Sequence, residues 1–164
     1  MVETKYGKYI LREPLHKGTF PILHACGEGN CLGADFPGFP AGITMMCVNE
    51  PKTMNPKPHA HNFDQYLCFI GSNPKNFFEF DAEIEITLGE EAEVHKIDTN
   101  SILYIPKGLL HCPLVFKKVN KPVILLDIVI APVYTRSVGD MSTHPSHESH
   151  EKYSLDEIIK LRGK

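Results

Sequence analysis

His59, His61, Gln65 and His111 are the residues whose types and spacing point to chemistry. Two histidines separated by one residue project from the same face of an extended chain, and Gln65, four residues on, keeps that phase if the strand stays regular. His111 closes the stretch that opens with Pro106, Lys107 and Gly108, a Pro-x-Gly turn able to return the chain to the same pocket. Three neutral imidazoles and one amide oxygen suit a borderline divalent ion such as Zn, Fe, Mn or Ni. Each histidine alone reads as a packed or surface residue; their company makes the group a candidate metal site. His16, His24 and His95 lack such company and are read as structural. Asp64, next to Gln65, faces the other way on a regular strand and would become a ligand only through a bulge.

These residues resemble the two sequence motifs of the cupin superfamily. The first is His-x-His followed after three or four residues by Glu or Gln; the second is Pro-x-Gly-x-x-His, and both stand here in the right order over about residues 42 to 131. The resemblance implies an all-β antiparallel jelly-roll barrel or sandwich with one metal ion held by His59, His61, Gln65 and His111. It also implies a small carboxylated or sugar-acid-like substrate turned over by Lewis-acid catalysis of isomerase or lyase type, since the Gln variant resembles small cupins acting on unsaturated uronic acids. An iron-dependent dioxygenase and a non-catalytic metal- or ligand-binding module are the alternatives, and a homodimer is expected, since the superfamily commonly forms dimers and the terminal helix and open edge strands invite association. Departures from the motifs are Thr53 and Asn100, where glycines are expected, and Val115, where an asparagine is expected. Asn100 is expected to take the left-handed turn in place of glycine at small cost. With Gln65 for the usual glutamate, Gln65→Glu is expected to raise metal affinity.

A catalytic base is not identifiable from the sequence. Tyr104 is the candidate for proton transfer, a metal-bound hydroxide being the other. Tyr66, Tyr134 and Arg136 are further candidates for lining a pocket.

The elements that must position these residues read as short strands between turn signals, the pattern of an antiparallel sandwich or barrel. Residues 43–48 form an apolar buried strand, residues 50–58 a turn stiffened by Pro56 and Pro58, and residues 65–71 a strand with Gln65, Leu67 and Phe69 facing inward. Residues 73–80 look like a small insertion. Residues 81–88 alternate acidic and apolar side chains, as a half-buried strand does, and strands follow over 92–97, 102–106, 114–118 and 123–130. Before the barrel, residues 1–21 fit a peripheral strand or arm and the Gly- and Pro-rich residues 21–41 a loop or a short edge segment. After it, residues 137–150, with His144, His147 and His150, read as a linker or tail, and Ser154 to Glu157 as a capping box opening a short helix. The expected division is an arm over 1–41, a barrel over 42–135 and a tail with a helix over 136–164, all within one domain.

Composition sets the outer limits. The chain has 164 residues, and 17 basic against 20 acidic side chains leave a net charge of −3, no electrostatic invitation to nucleic acid or an anionic membrane. The expected partner is a small molecule. No apolar run reaches the roughly 18 to 20 residues that span a bilayer, and a cytoplasmic location is expected. The 5 cysteines, odd in number and without paired spacing, read as reduced thiols. Cys26 and Cys31 would suggest a metal loop, but a second such pair is missing.

Overall fold

A computed structural model of the chain describes residues 5–17, 22–26, 35–36, 38–131, 136–137, 143–144 and 152–163. In chain order the strands are β1 (Leu15–His16), β2 (Ile22–Cys26), β3 (Gly42–Val48), β4 (Lys52–Met54), β5 (Asp64–Gly71) and β6 (Ala82–Leu88). There follow β7 (Glu93–Ile97), β8 (Ser101–Ile105), β9 (His111–Val119), β10 (Val123–Ile130), β11 (Arg136–Ser137) and β12 (Thr143–His144), then helix α1 (Leu155–Arg162). A six-stranded sheet runs in the order β1-β2-β3-β10-β5-β8, a four-stranded sheet in the order β4-β9-β6-β7, and β11 pairs with β12. Neighbouring strands pair antiparallel, and the chain passes between the two main sheets at β3–β4, β4–β5, β5–β6, β7–β8, β8–β9 and β9–β10. This is the antiparallel jelly roll expected from the sequence.

The core lies between the two sheets because alternate residues of each strand face inward. Val48, Leu67, Phe69, Ile105, Val123 and Leu125 come from the larger sheet and Ala82, Ile84, Ile86, Leu114 and Phe116 from the smaller, all buried. Phe69 and Phe116 meet across the gap with ring centroids 6.5 Å apart. Truncating either to alanine would cost about 3–5 kcal/mol. The outward positions of β6, Glu83 and Glu85, pair instead with Lys118 and Lys117 on β9. The acid–apolar alternation thus separates a wet face from a dry one, as read from the sequence.

Several local readings are corrected. In the Gly- and Pro-rich stretch after residue 21, read as a loop or a short edge segment, residues 22–26 form β2, which lies between the edge strand β1 and β3 and buries Ile22 and His24. Within the expected turn 50–58 lies β4, paired with β9, and Thr53 sits in it; the left-handed residue of this connection is Asn55, at φ 47°. Asn100 is not left-handed. Its side chain instead accepts from Gly71 N at 2.7 Å and donates to Phe77 O, tying the 73–80 insertion to the end of β5. The expected tail contains the β11–β12 pairing of Arg136–Ser137 with Thr143–His144, while His147, His150 and Tyr134 lie outside the described residues.

The capping box is present: Ser154 Oγ accepts from Glu157 N, and the Glu157 carboxylate accepts from Ser154 N at 2.8 Å. The helix lies beside the N-terminal segment. Tyr153 N donates to Leu15 O at 3.1 Å, Lys17 pairs with Glu157 at 3.0 Å and Arg162 binds the Glu13 carboxylate. No helix among the described residues is long and apolar enough to cross a membrane. Cys47, Cys68 and Cys112 are free thiols.

Candidate metal centre

The two histidine motifs meet through the backbone. His59 and His111 form an antiparallel bridge in which each main-chain N–H donates to the other's carbonyl, at 3.0 and 2.9 Å. Gly108 N donates to His61 O at 2.9 Å, which pins the Pro106–Leu110 turn against the first motif. That turn needs a glycine: Gly108 has φ +84°, and Leu109 N closes the turn onto Pro106 O at 3.0 Å. Lys107 N donates to the Asp64 carboxylate at 3.0 Å, a second tie between the motifs.

The result is a cluster of three buried imidazoles, His59, His61 and His111, each offering one ligand nitrogen, with those atoms all within 4.8 Å of one another. Their ring centroids are 4.4 to 5.0 Å apart. His59 Nδ1 donates to Lys57 O at 3.2 Å and His111 Nδ1 to Leu109 O at 2.9 Å. A carbonyl only accepts, so these contacts place the proton on Nδ1 and leave Nε2 as the lone-pair nitrogen. Such an outer hydrogen bond orients a metal-binding imidazole. Phe63 is buried and stacks on His61 with centroids 4.7 Å apart.

The phase that the sequence suggested survives without the strand that would have supplied it. Residues 62–63 form a bend and β5 starts only at Asp64, yet His59, His61, Phe63 and Gln65 are buried while Ala60, Asn62 and Asp64 are less so. Gln65 is 3% exposed. Its Nε2 donates to Asp127 Oδ1 at 2.7 Å, while its Oε1 is buried with no hydrogen-bond partner among the described residues. An unsatisfied buried carbonyl costs about 1–3 kcal/mol, and a cation beside it would offset that cost. The donor set therefore fits a divalent metal on the ground of its own chemistry. Asp127, on β10, is half-buried, and burial pushes its carboxyl up to about 6 against the opposing effect of the Gln65 hydrogen bond.

Other expected site residues stand elsewhere. Tyr104, the candidate for proton transfer, is 47% exposed and faces away from its buried neighbour Ile105, so the structure does not bring it to the imidazoles. Its hydroxyl donates to Asp64 at 3.0 Å, which raises the tyrosine pKa; the Lys107 N–H first and then this hydroxyl lower that of Asp64. Asp64 is thus an outward clamp on the second motif, with no bulge turning it inward. Tyr66 lies beside Tyr104, their rings 5.2 Å apart. His95 is exposed and within 3.4 Å of Glu93. His16 and His24 are buried edge to face, with centroids 5.7 Å apart, and His24 Nδ1 lies 2.9 Å from Thr44 Oγ1. The residue that sequence reasoning passed over is Asp127. Its signal was a single acid inside the otherwise apolar run of residues 123–130.

The topology and the paired motifs give this chain the cupin fold. No family model matches it, and no curated protein matches its sequence. Among solved structures, it is similar to a conserved protein with a double-stranded beta-helix domain from Klebsiella pneumoniae (13% identity, 62% of this chain and 76% of that one, TM-score 0.43). It is also similar to a cupin superfamily protein from Desulfitobacterium hafniense (11% identity, 67% and 77%, TM-score 0.43). A cupin protein from Bacteroides fragilis aligns at 12% identity over 66% of this chain and 76% of that one, with a TM-score of 0.39.

Proposed function

We propose that the chain is a metal-dependent enzyme of the small-cupin kind. It holds one divalent transition metal, Zn, Fe, Mn or Ni, on His59, His61, His111 and the amide oxygen of Gln65. It acts on a small carboxylated or sugar-acid-like molecule by isomerase- or lyase-type chemistry. The observation that carries this reading is the convergence of three buried imidazoles whose ligand atoms lie within 4.8 Å of one another. When bound, the metal supplies Lewis acidity to a substrate oxygen.

The chain's own residues set the terms. Lys57 O and Leu109 O hold two imidazoles in one tautomer, and Phe63 backs the third. All four donors are neutral, so they leave the ion's charge uncompensated and favour an anionic ligand such as a carboxylate. A second reading, a binding module without turnover, is favoured by one observation: the tyrosine expected to move a proton stands on the outer face.

Protein prepared without a histidine tag should contain about one metal per chain. A screen of carboxylated sugars should find turnover that a chelator abolishes and one preferred metal restores. Metal-dependent binding without turnover would select the binding module. Loss of the metal site as an explanation would follow if no divalent ion bound in stoichiometric amount.

A further inference from the structure

Strand β10 carries one carboxylate on the face that it turns toward the core. Val123, Leu125 and Val129 are all buried, and Asp127 falls in the same alternation. Across the sheet its register partners are Thr44 on β3 and Leu67 on β5, while Gln65 pairs with Val129, so Gln65 and Asp127 are diagonal neighbours. They are joined by the Gln65 Nε2 to Asp127 Oδ1 hydrogen bond of 2.7 Å.

A primary amide can turn either its oxygen or its nitrogen toward a cation, and only the oxygen is a useful donor. An ionised carboxylate only accepts, so with Asp127 on one side the amide must present its NH2 there. The opposite atom, Oε1, is the one left buried without a hydrogen-bond partner among the described residues. A charged acceptor on the NH2 group also polarises the amide and increases electron density on its oxygen.

We propose that Asp127 is a positioning residue for the metal centre: it fixes Gln65 with its oxygen available to the ion and supplies, one residue removed, the negative charge missing from the neutral donor set. This rests on the metal-site reading above. The relay also changes what a glutamate at position 65 would do. Gln65→Glu would set two carboxylates at hydrogen-bond distance, so the gain in metal affinity expected from sequence alone is opposed by Asp127.

The test is a two-by-two comparison with cobalt(II) as the probe: the wild type, Asp127→Asn, Gln65→Glu and the double variant. Affinity is read by chelator competition and coordination by the visible absorption of the cobalt-loaded protein. Asp127→Asn should weaken binding by about 10-fold in the wild-type background, the lower end for loss of an outer-shell partner, and alter the cobalt spectrum. In the Gln65→Glu background the same change should tighten binding, because the introduced amide can donate to the carboxylate that Asp127 repels. A packing role would give the same sign in both backgrounds. Should Asp127→Asn fail to fold, as judged by thermal unfolding without metal, Asp127→Ser is read in the same way. Equal affinities, or one sign throughout, overturn the proposal while leaving the metal site standing. A wild type that binds no divalent ion overturns both.

Discussion

His59 and His111, far apart in the chain, exchange both of their backbone hydrogen bonds and hold their rings 4.4 Å apart. The main chain, rather than the imidazoles, therefore brings the two motifs together, and the cluster can form before any ion arrives. Buried imidazoles that must stay neutral are costly to assemble, and the backbone bridge together with the carbonyl acceptors on Nδ1 meets part of that cost. Mutating either histidine should leave the fold intact while removing a ligand.

His59→Ala and His111→Ala should each lower metal affinity by at least about 100-fold, since a direct ligand is worth more than an outer-shell partner at the upper end of its range. Gln65→Ala should cost less than His61→Ala, the imidazole being the stronger donor. Chelator competition on the purified variants measures both. Affinity of His111→Ala within a few-fold of wild type would remove His111 from the site.

Gly108→Ala should weaken the metal site through the backbone alone. At φ +84° an alanine is strained by about 1–2 kcal/mol, yet its Cβ would meet nothing within 4 Å. Gly71→Ala should act by collision, its Cβ falling 1.9 Å from Glu79 O, and should destabilise the fold by about 1–3 kcal/mol without a specific effect on metal affinity. Urea unfolding and metal competition on the two variants separate these effects.

Tyr104→Phe should leave metal affinity within about twofold of wild type, because an outer-shell effect of 10-fold or more requires contact with a ligand and this hydroxyl bonds Asp64 on the outer face. A large loss would mean that the tyrosine reaches the metal. Competition with a chelator again decides.

Acid should loosen the C-terminal helix. The Ser154 backbone N–H, the Lys17 ammonium and the Ser154 hydroxyl lower the Glu157 pKa from 4.5 to about 2. A depressed carboxyl stabilises the fold above its ordinary value and loses that contribution as pH falls from about 4.5 toward about 2. The stability difference between wild type and Glu157→Gln should therefore shrink over that window. If the difference were constant with pH, the capping carboxylate would have no part in it.

The homodimer expected from the sequence is proposed to use the outer face of the six-stranded sheet. There Ile43, Tyr66, Ile102, Tyr104 and Ile130 are exposed, whereas the outer face of β6 and β9 carries paired charges. A second copy is the partner proposed for such a face, because a twofold axis through it would set the same apolar patch of each copy against the other and remove both from water. Light scattering should give twice the chain mass of 18.4 kDa, and Ile102→Asp, at a residue 73% exposed, should halve it. A wild-type monomer at tens of micromolar would refute the dimer.

The sequence by itself determined the alternation that sends His59, His61 and Gln65 to one side, the Pro-x-Gly turn before His111, the wet and dry faces of β6 and the capping box of the last helix. Each of these depends on side chains a few residues apart, where the backbone period and local hydrogen bonds decide the outcome. Asn100 was misread because an asparagine can serve a turn through its backbone or through its side chain. Its choice depended on Gly71 and Phe77, residues that the fold brings to it. Whether residues 22–26 form a loop or an edge segment, and that β4 is a strand at all, is decided by pairing with β3 and β9 rather than by local propensity. Tyr104 required knowledge of which face of β8 is buried. Asp127 became meaningful only when register set it diagonally across from Gln65, because the orientation of an amide is decided by whatever acceptor the tertiary structure places beside it.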